Sequence, residues 1–374
     1  MTARNAAARR PAAIKLKIFF AALLALFLTA SCEAPGAQAE FALGTLCAVD
    51  LFEGGSNRLY DAIFARIREI DRTMTAHPPA AGAFASDVAE IGRWAGIAPV
   101  SVGEDLLDVL ERALHFAEMS DGAFDPTIGP LTALWGIGTH SPRVPSDAEI
   151  AGALALVNWR DLEINRAAGT AFLRRQGMSL DLGAIAKGFA GDEAARITRE
   201  AGVRRALIDL GGNIVAVGWR QRRGSALRRL FSRRVHADLP WRIGIQHPLR
   251  GRGVHMGIVE VFDTSVVTSG VNERFFEAPV PGGAIRRFHH LLCTRTGFPV
   301  ENGLLSVTVV AQSSTDADAL STAAFALGYH RGRAVIDSMP GAEAIFVFAD
   351  RRVRITDGLA GVFRLTVDEF TLAP

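Results

Sequence analysis

The sequence predicts an α+β fold. Two observations carry this. Short strand-like and helix-like stretches intermix along the chain without the regular βαβ rhythm of a doubly wound fold. Hydrophobic residues make up 49% and charged residues 21% of 374 positions, the balance of a folded soluble protein rather than of a disordered chain, a collagen or a coiled coil. The length allows one large domain or two. Three cysteines are too few for a disulfide scaffold.

The chain opens with a segment read as processing signal rather than fold. Residues 1–31 carry Arg4, Arg9, Arg10, Lys15 and Lys17 and no acid, and Ile18–Ala30 is apolar. A basic stretch followed by an apolar run too short to span a bilayer comfortably is an export signal. Two exits are available. Leu28-Thr29-Ala30-Ser31-Cys32 resembles a lipoprotein cleavage box, with Cys32 as the lipidated N-terminus, and Ala37-Gln38-Ala39 offers an ordinary A-x-A site. The Cys32 exit is the preferred one. Residues 1–39 are therefore assigned to export and 40–374 to the folded domain, periplasmic and anchored to a membrane through Cys32. Without residues 1–31 the chain holds 36 basic against 39 acidic residues, a net −3. The formal +2 thus belongs to the leader and gives nucleic-acid binding no support.

The folded part then reads in order. Phe41–Glu53 has strand character. Asn57–Met74 is an amphipathic helix, with Leu59, Ile63, Ile67, Ile70 and Met74 on one stripe. Residues 76–85, rich in Pro, Ala and Gly, form a loop. Asp105–Met119 is a second helix. Trp159–Ile164, Ala171–Arg175 and Met178–Leu182 read as short strands, and Ala184–Ala201 as a helix stopped by Gly202. Strands follow at Arg205–Leu210, Ile214–Trp219, Trp241–Gln246, Ile258–Phe262, His289–Leu292 and Ser306–Ala311, and a last helix at Asp316–Leu327. Between two of the strands, Arg220–Arg234 holds seven arginines and no acid. It reads as a solvated surface insertion, with a patch for anionic headgroups or an acidic partner as the alternative.

Four stretches combine glycine with polar residues beyond what packing requires: Gly122–Leu131 with Leu134–Gly138, Leu180–Asp192, Asp209–Asn213, and a discontinuous set of Thr268–Gly270, His290–Gly297 and Asp316–Thr322. In the second, a strand turns through Gly183 into a helix whose first turn carries Lys187 and Gly188. Free backbone N–H groups and a lysine at a helix start suit a phosphate, while turn and packing glycines are an equal reading. Asp318 and Thr322 stand i, i+4, so their oxygens share a helix face. With a backbone carbonyl they would suit Mg²⁺, although a first-turn carboxylate also serves the helix dipole alone. His289 and His290 are adjacent on a strand and point to opposite faces, so at most one can join a site.

These blocks, in this order and spacing, resemble the ApbE family of FAD:protein FMN transferases, from about Phe41 to about Gly328. The family resemblance rests on Phe124–Leu131 with Leu134–Gly138, Asp181–Gly188, Gly211–Asn213 and Asp318–Ala323. It implies an ApbE-like fold of mixed and antiparallel sheets with packed helices, FAD in a central cleft, Mg²⁺ at the pyrophosphate, and attack by a Thr or Ser hydroxyl of an acceptor flavoprotein that leaves FMN attached and releases AMP. It places the Ala184 carbonyl, Asp318 and Thr322 on the metal. Lys187, Asp192, Gly211, Gly212, Asn213, Arg295, Thr296 and Gly297 fall along the FAD, and His290 assists the incoming hydroxyl with a pKa near the operating pH. Three positions depart from the family pattern: Cys293-Thr294 replace Asp-Pro, Asn272 stands for Tyr, and His77 for an aromatic ring. Hydrolysis of FAD to FMN and AMP, or plain FAD carriage by a lipoprotein, would use the same site.

Overall fold

A computed structural model describes residues 36–76, 86–220, 238–280 and 282–373. The leader with Cys32, His77 and the arginine-rich segment beyond Arg220 lie outside the described residues.

In chain order the strands are β1 (Gln38–Ala42), β2 (Thr45–Leu51), β3 (Val100–Ser101), β4 (Leu162–Asn165), β5 (Thr170–Leu173), β6 (Ala206–Leu210), β7 (Asn213–Val217), β8 (Trp241–Gln246) and β9 (His255–Val261). They continue as β10 (Thr264–Gly270), β11 (Phe275–Pro279), β12 (Ile285–His289), β13 (Leu304–Ala311), β14 (Glu343–Phe348), β15 (Arg352–Ile355), β16 (Phe363–Leu365) and β17 (Thr371–Leu372). The helices are α1 (Asn57–Met74), α2 (Asp87–Arg93), α3 (Glu104–Met119), α4 (Gly129–Trp135), α5 (Asp147–Leu154), α6 (Ala186–Glu200), α7 (Ser314–Leu327) and α8 (Tyr329–Asp337).

The frame is a nine-stranded sheet in the order β1-β2-β6-β7-β10-β13-β14-β15-β17. Its pairs are antiparallel except the last, β15 with β17. One face packs against α1, α6 and α7, with α3 packed on α7 behind them, over a core that includes Tyr60, Phe64, Leu110, Ile208, Val307 and Phe325. The other face is covered by the β16-β9-β8 sheet around Trp241, Val259 and Phe363. Beneath the β11–β12 hairpin, Trp135, Ile150, Phe288 and Leu292 form a third cluster.

Local chemistry explains the elements that position the site. Ser56 caps α1 by accepting the Leu59 N–H, and Tyr60, Ile63, Phe64, Ile67, Ile70 and Met74 bury one stripe. Ser313 caps α7 by accepting the Asp316 N–H. That helix is buried on nearly every side, Asp318 and Ser321 included.

Several boundaries differ from the sequence reading. Phe41–Glu53 is a hairpin, because Leu43 and Gly44 both adopt positive φ and reverse the chain. Met178–Leu182 forms no strand, only a bridge from Ser179 to Ile128. The helix expected from Ala184 begins at Ala186. The strand expected at His289–Leu292 instead ends at His289, and Leu292 bridges to Pro299 in a turn. Helices α2, α4, α5 and α8 and strands β3, β10, β11 and β14–β17 were not read from the sequence. The cysteines Cys47 and Cys293 are both free, and burial pushes the Cys47 thiol up to about 11, which leaves it unreactive.

Candidate active site

The second and fourth sequence blocks meet where α6 starts beside the first turns of α7. Asp318, 2% exposed, accepts from the Lys187 ammonium on Oδ1 (3.0 Å) and Oδ2 (3.1 Å), and from the Gly188 N–H on Oδ2 (2.9 Å). The ammonium also donates to the Gly183 carbonyl at 3.0 Å. One lysine head thus ties the Gly183–Ala184 turn to Asp318. The two helices approach this closely because residue 188 is glycine: a Cβ there would stand 2.3 Å from the Ser314 carbonyl oxygen.

Asp192, one turn further along α6, does a different job from the one its position suggests. It accepts from Ser313 Oγ (3.0 Å), the Ser314 N–H (2.8 Å), the Thr315 N–H (2.9 Å) and Thr315 Oγ1 (2.7 Å). Both oxygens are engaged by the α7 N-terminus, so Asp192 sets the helix that carries Asp318 and Thr322. Gly211 and Gly212 make the β6–β7 turn, where the Gly212 N–H donates to Asp209 Oδ1 at 2.7 Å. Asn213 is buried and accepts from Ser314 Oγ at 2.9 Å. Its Nδ2 donor has no partner among the described residues.

Thr322 lies on the same face of α7 as Asp318 and is partly exposed. Together with the Ala184 carbonyl these are a carboxylate, a hydroxyl and an amide oxygen, the hard oxygen donors that Mg²⁺ takes. In the structure Asp318 is paired with the Lys187 ammonium. Among the described residues no group of three or more His, Cys, Asp or Glu forms a metal site, so a cation here relies on one carboxylate and neutral oxygens.

His290 follows the end of β12. Its backbone N–H and its Nδ1 both meet the Arg274 carbonyl, at 3.1 and 3.2 Å. A carbonyl only accepts, so Nδ1 carries the proton and Nε2 keeps a free lone pair. Burial, then the nearby charges of Arg274 and His289, pull the imidazole down to about 3. This corrects the expectation of a histidine poised near neutrality: crowding and cations keep it neutral instead. His289 turns the other way, as expected, with Nε2 at 3.1 Å from the Val300 carbonyl and its ring edge-on to Phe325.

Glu273 and Arg274 are functional candidates that the sequence reading missed. Glu273 is exposed. Desolvation by the protein around it pushes its carboxyl up despite Arg252, Lys187 and Arg274 within electrostatic reach. The Arg274 side chain lies against Gly138, at the end of the first glycine-rich block. The available signal was a pair of charges separated by two residues from the end of β10.

The turn Arg295–Gly297 is built from different contacts. The Arg295 guanidinium pairs with Asp121 at 2.8 Å on the surface. Thr296 Oγ1 accepts from the Phe298 N–H at 3.4 Å. Gly297 has φ +74°, and a Cβ there would meet Ile150 Cγ2 at 2.4 Å; its carbonyl accepts the Trp135 indole N–H at 2.8 Å. The residues that replace Asp-Pro belong to this turn: Thr294 Oγ1 donates to the Gly122 carbonyl at 2.6 Å, and the Cys293 N–H donates to the Phe298 carbonyl at 2.7 Å.

The blocks that meet in this cleft fall within residues 43–346, which match the model of the ApbE family. The chain belongs to the ApbE family. An FAD:protein FMN transferase of Treponema pallidum is 38% identical over 90% of this chain and 90% of its own length. One of Klebsiella pneumoniae is 35% identical over 72% of this chain and 77% of its own length. Among solved structures, the ApbE protein of Thermotoga maritima superposes with a TM-score of 0.72 at 29% identity, covering 88% of this chain and 99% of that one. The Lys187–Asp318 contact is therefore the meeting point of two ApbE sequence blocks some 130 residues apart.

Proposed function

We propose that this ApbE-family chain transfers FMN from FAD to a Thr or Ser hydroxyl of an exported or membrane flavoprotein, with Mg²⁺ and with release of AMP. The observation that carries this reading is the buried Asp318, joined to Lys187 and Gly188 and aligned with Thr322 on one face of α7. Relatives that bear the name FAD:protein FMN transferase support the same activity. Mg²⁺ would be held by Asp318, Thr322 and the Ala184 carbonyl, and when bound it neutralises charge on the pyrophosphate.

The chain's own residues do the rest. The Lys187 ammonium, at the start of α6 beside Asp318, binds phosphate oxygens, whereas the Ala186 and Gly188 N–H groups there are already donated to the Leu182 carbonyl and to Asp318. The free Nδ2 of Asn213 and the Gly211–Gly212 turn offer contacts along the FAD. His290 Nε2 accepts the proton of the acceptor hydroxyl, while the Arg274 carbonyl holds the ring in the required tautomer. The hydroxyl oxygen forms a bond to the phosphorus on the riboflavin side, and the bond to AMP breaks.

The setting is proposed to be periplasmic, with Cys32 lipidated. β1 starts at Gln38, which pairs with Val49, and Ala39 pairs with Ala48. Cleavage after Ala39 would strip both residues from the edge strand, whereas cleavage before Cys32 leaves them in place. The test is to incubate the protein with FAD, Mg²⁺ and a candidate acceptor domain. Flavin fluorescence on the denatured acceptor band is the expected result. Free FMN with an unlabelled acceptor would replace transfer by hydrolysis, and intact FAD would leave only carriage.

A further inference from the structure

Behind the cleft, three hydroxyls form a chain whose proton direction follows from counting. Ser321 Oγ lies 2.9 Å from the Asp318 backbone carbonyl. A carbonyl only accepts, so the single Ser321 proton is committed there. Ser269 Oγ lies 2.8 Å from Ser321 Oγ. With no proton left on Ser321, Ser269 must donate. Ser269 Oγ also lies 3.0 Å from Thr322 Oγ1. Its own proton is already in use, so Thr322 is the donor in that bond. The Thr322 proton therefore points at Ser269, and both Thr322 lone pairs stay free. Ser321 is fully buried and Ser269 is 8% exposed, so water offers these groups few alternative partners.

We propose that Ser269 and Ser321 are positioning residues that fix the Thr322 hydroxyl as a lone-pair donor toward the divalent cation. The inference rests on the metal site proposed above. In the reverse polarity Ser269 would occupy one Thr322 lone pair and leave the Thr322 proton free to turn toward the cation, so one lone pair instead of two would remain for it. The anchor is a backbone carbonyl one turn back on the same helix, so the hydroxyl direction is set by α7 itself. It is carried across to β10 and back. Outer partners of this kind typically govern 10–100-fold in metal affinity.

The experiment is a calorimetric titration of MgCl₂ alone into the full-length protein and its variants, with melting curves recorded in EDTA. Ser269→Ala removes the acceptor of the Thr322 proton and is expected to weaken Mg²⁺ binding by ~10–100-fold. Ser321→Ala touches neither Thr322 nor the cation. It frees Ser269 to donate to Thr322, and the expected weakening is about 3–10-fold with unchanged melting in EDTA. Asp318→Ala is the reference for the site and should abolish binding. If Asp318→Ala loses Mg²⁺ while both serine variants bind like wild type, the relay is wrong and the metal site stands. If affinity falls only in step with melting temperature, the serines are packing residues and the relay is again overturned. If Asp318→Ala binds Mg²⁺ like wild type, the metal site itself fails and the relay with it.

Discussion

The α6–α7 junction and the Cys293–Phe298 turn look alike in sequence, each a short run of glycine with polar side chains. They hold together by different means. At the junction a buried carboxylate takes an ammonium and a backbone N–H, and its glycine exists to let two helices touch. In the turn, the charge of Arg295 is spent at the surface on Asp121, and the glycine is required by its own φ and by Ile150. Buried charge is tolerated only when paired, so the junction is where chemistry concentrates. The turn supplies shape: it fastens the stretch after His290 to Trp135 of α4 and, through Thr294, to Gly122 after α3.

The largest expected effect tests that contrast directly. Asp318→Ala should reduce flavin transfer to background in a Mg²⁺-dependent assay, with the fold retained by circular dichroism. Transfer near the wild-type rate would remove the chemistry from the junction. Next comes His290→Ala, expected to slow transfer by ~10²–10⁴-fold with little change in FAD affinity. The wild-type imidazole is depressed to about 3, so it is neutral at every pH well above that value. The transfer rate should then show no rise between pH 6 and 8 attributable to this group; a rise that disappears in His290→Ala would contradict the environment described. The sign for stability follows from the same shift. The unfolded histidine titrates near 6.5, so below that pH the unfolded state binds the extra proton. Stability should fall with acid, and less steeply in His290→Ala, as read from denaturation midpoints at pH 5 and pH 8.

Smaller effects sharpen the contrast. Gly188→Ala forces a Cβ against the Ser314 backbone and should cost ~1–3 kcal/mol in urea denaturation. It should weaken Mg²⁺ binding as well, because it pushes α6 away from Asp318. Gly297→Ala should show a similar loss of stability but leave Mg²⁺ binding intact; equal damage to metal binding would erase the distinction between the two regions. The smallest effect is assigned to Arg295→Ala. Its pair with Asp121 is exposed and worth under ~1 kcal/mol. A KM for FAD raised tenfold or more in that variant would make the turn a ligand contact after all.

Much of the site could be read along the chain. Lys187, Gly188, Asp318 and Thr322 sit on helices whose period places them, and adjacent histidines on a strand must diverge. The long helices were legible for the same reason, since Ile63, Ile67 and Ile70 recur at the spacing that buries one face. Short elements such as α4 and β10 were not, because a few apolar residues buried on all sides carry no period. Roles that depend on distant partners were also beyond reach. Asp192 holds the α7 N-terminus, and Glu273 comes within electrostatic reach of Lys187 and Arg274. The burial and the Arg274 charge that lower the His290 pKa come from outside its own segment, which contributes only the neighbouring His289. Sequence alone determined which groups could do chemistry and which face of their own element they occupy, because that is backbone geometry. Only the tertiary structure decided which of them meet, since a contact across some 130 residues, like that of Lys187 with Asp318, is made by packing and not by spacing.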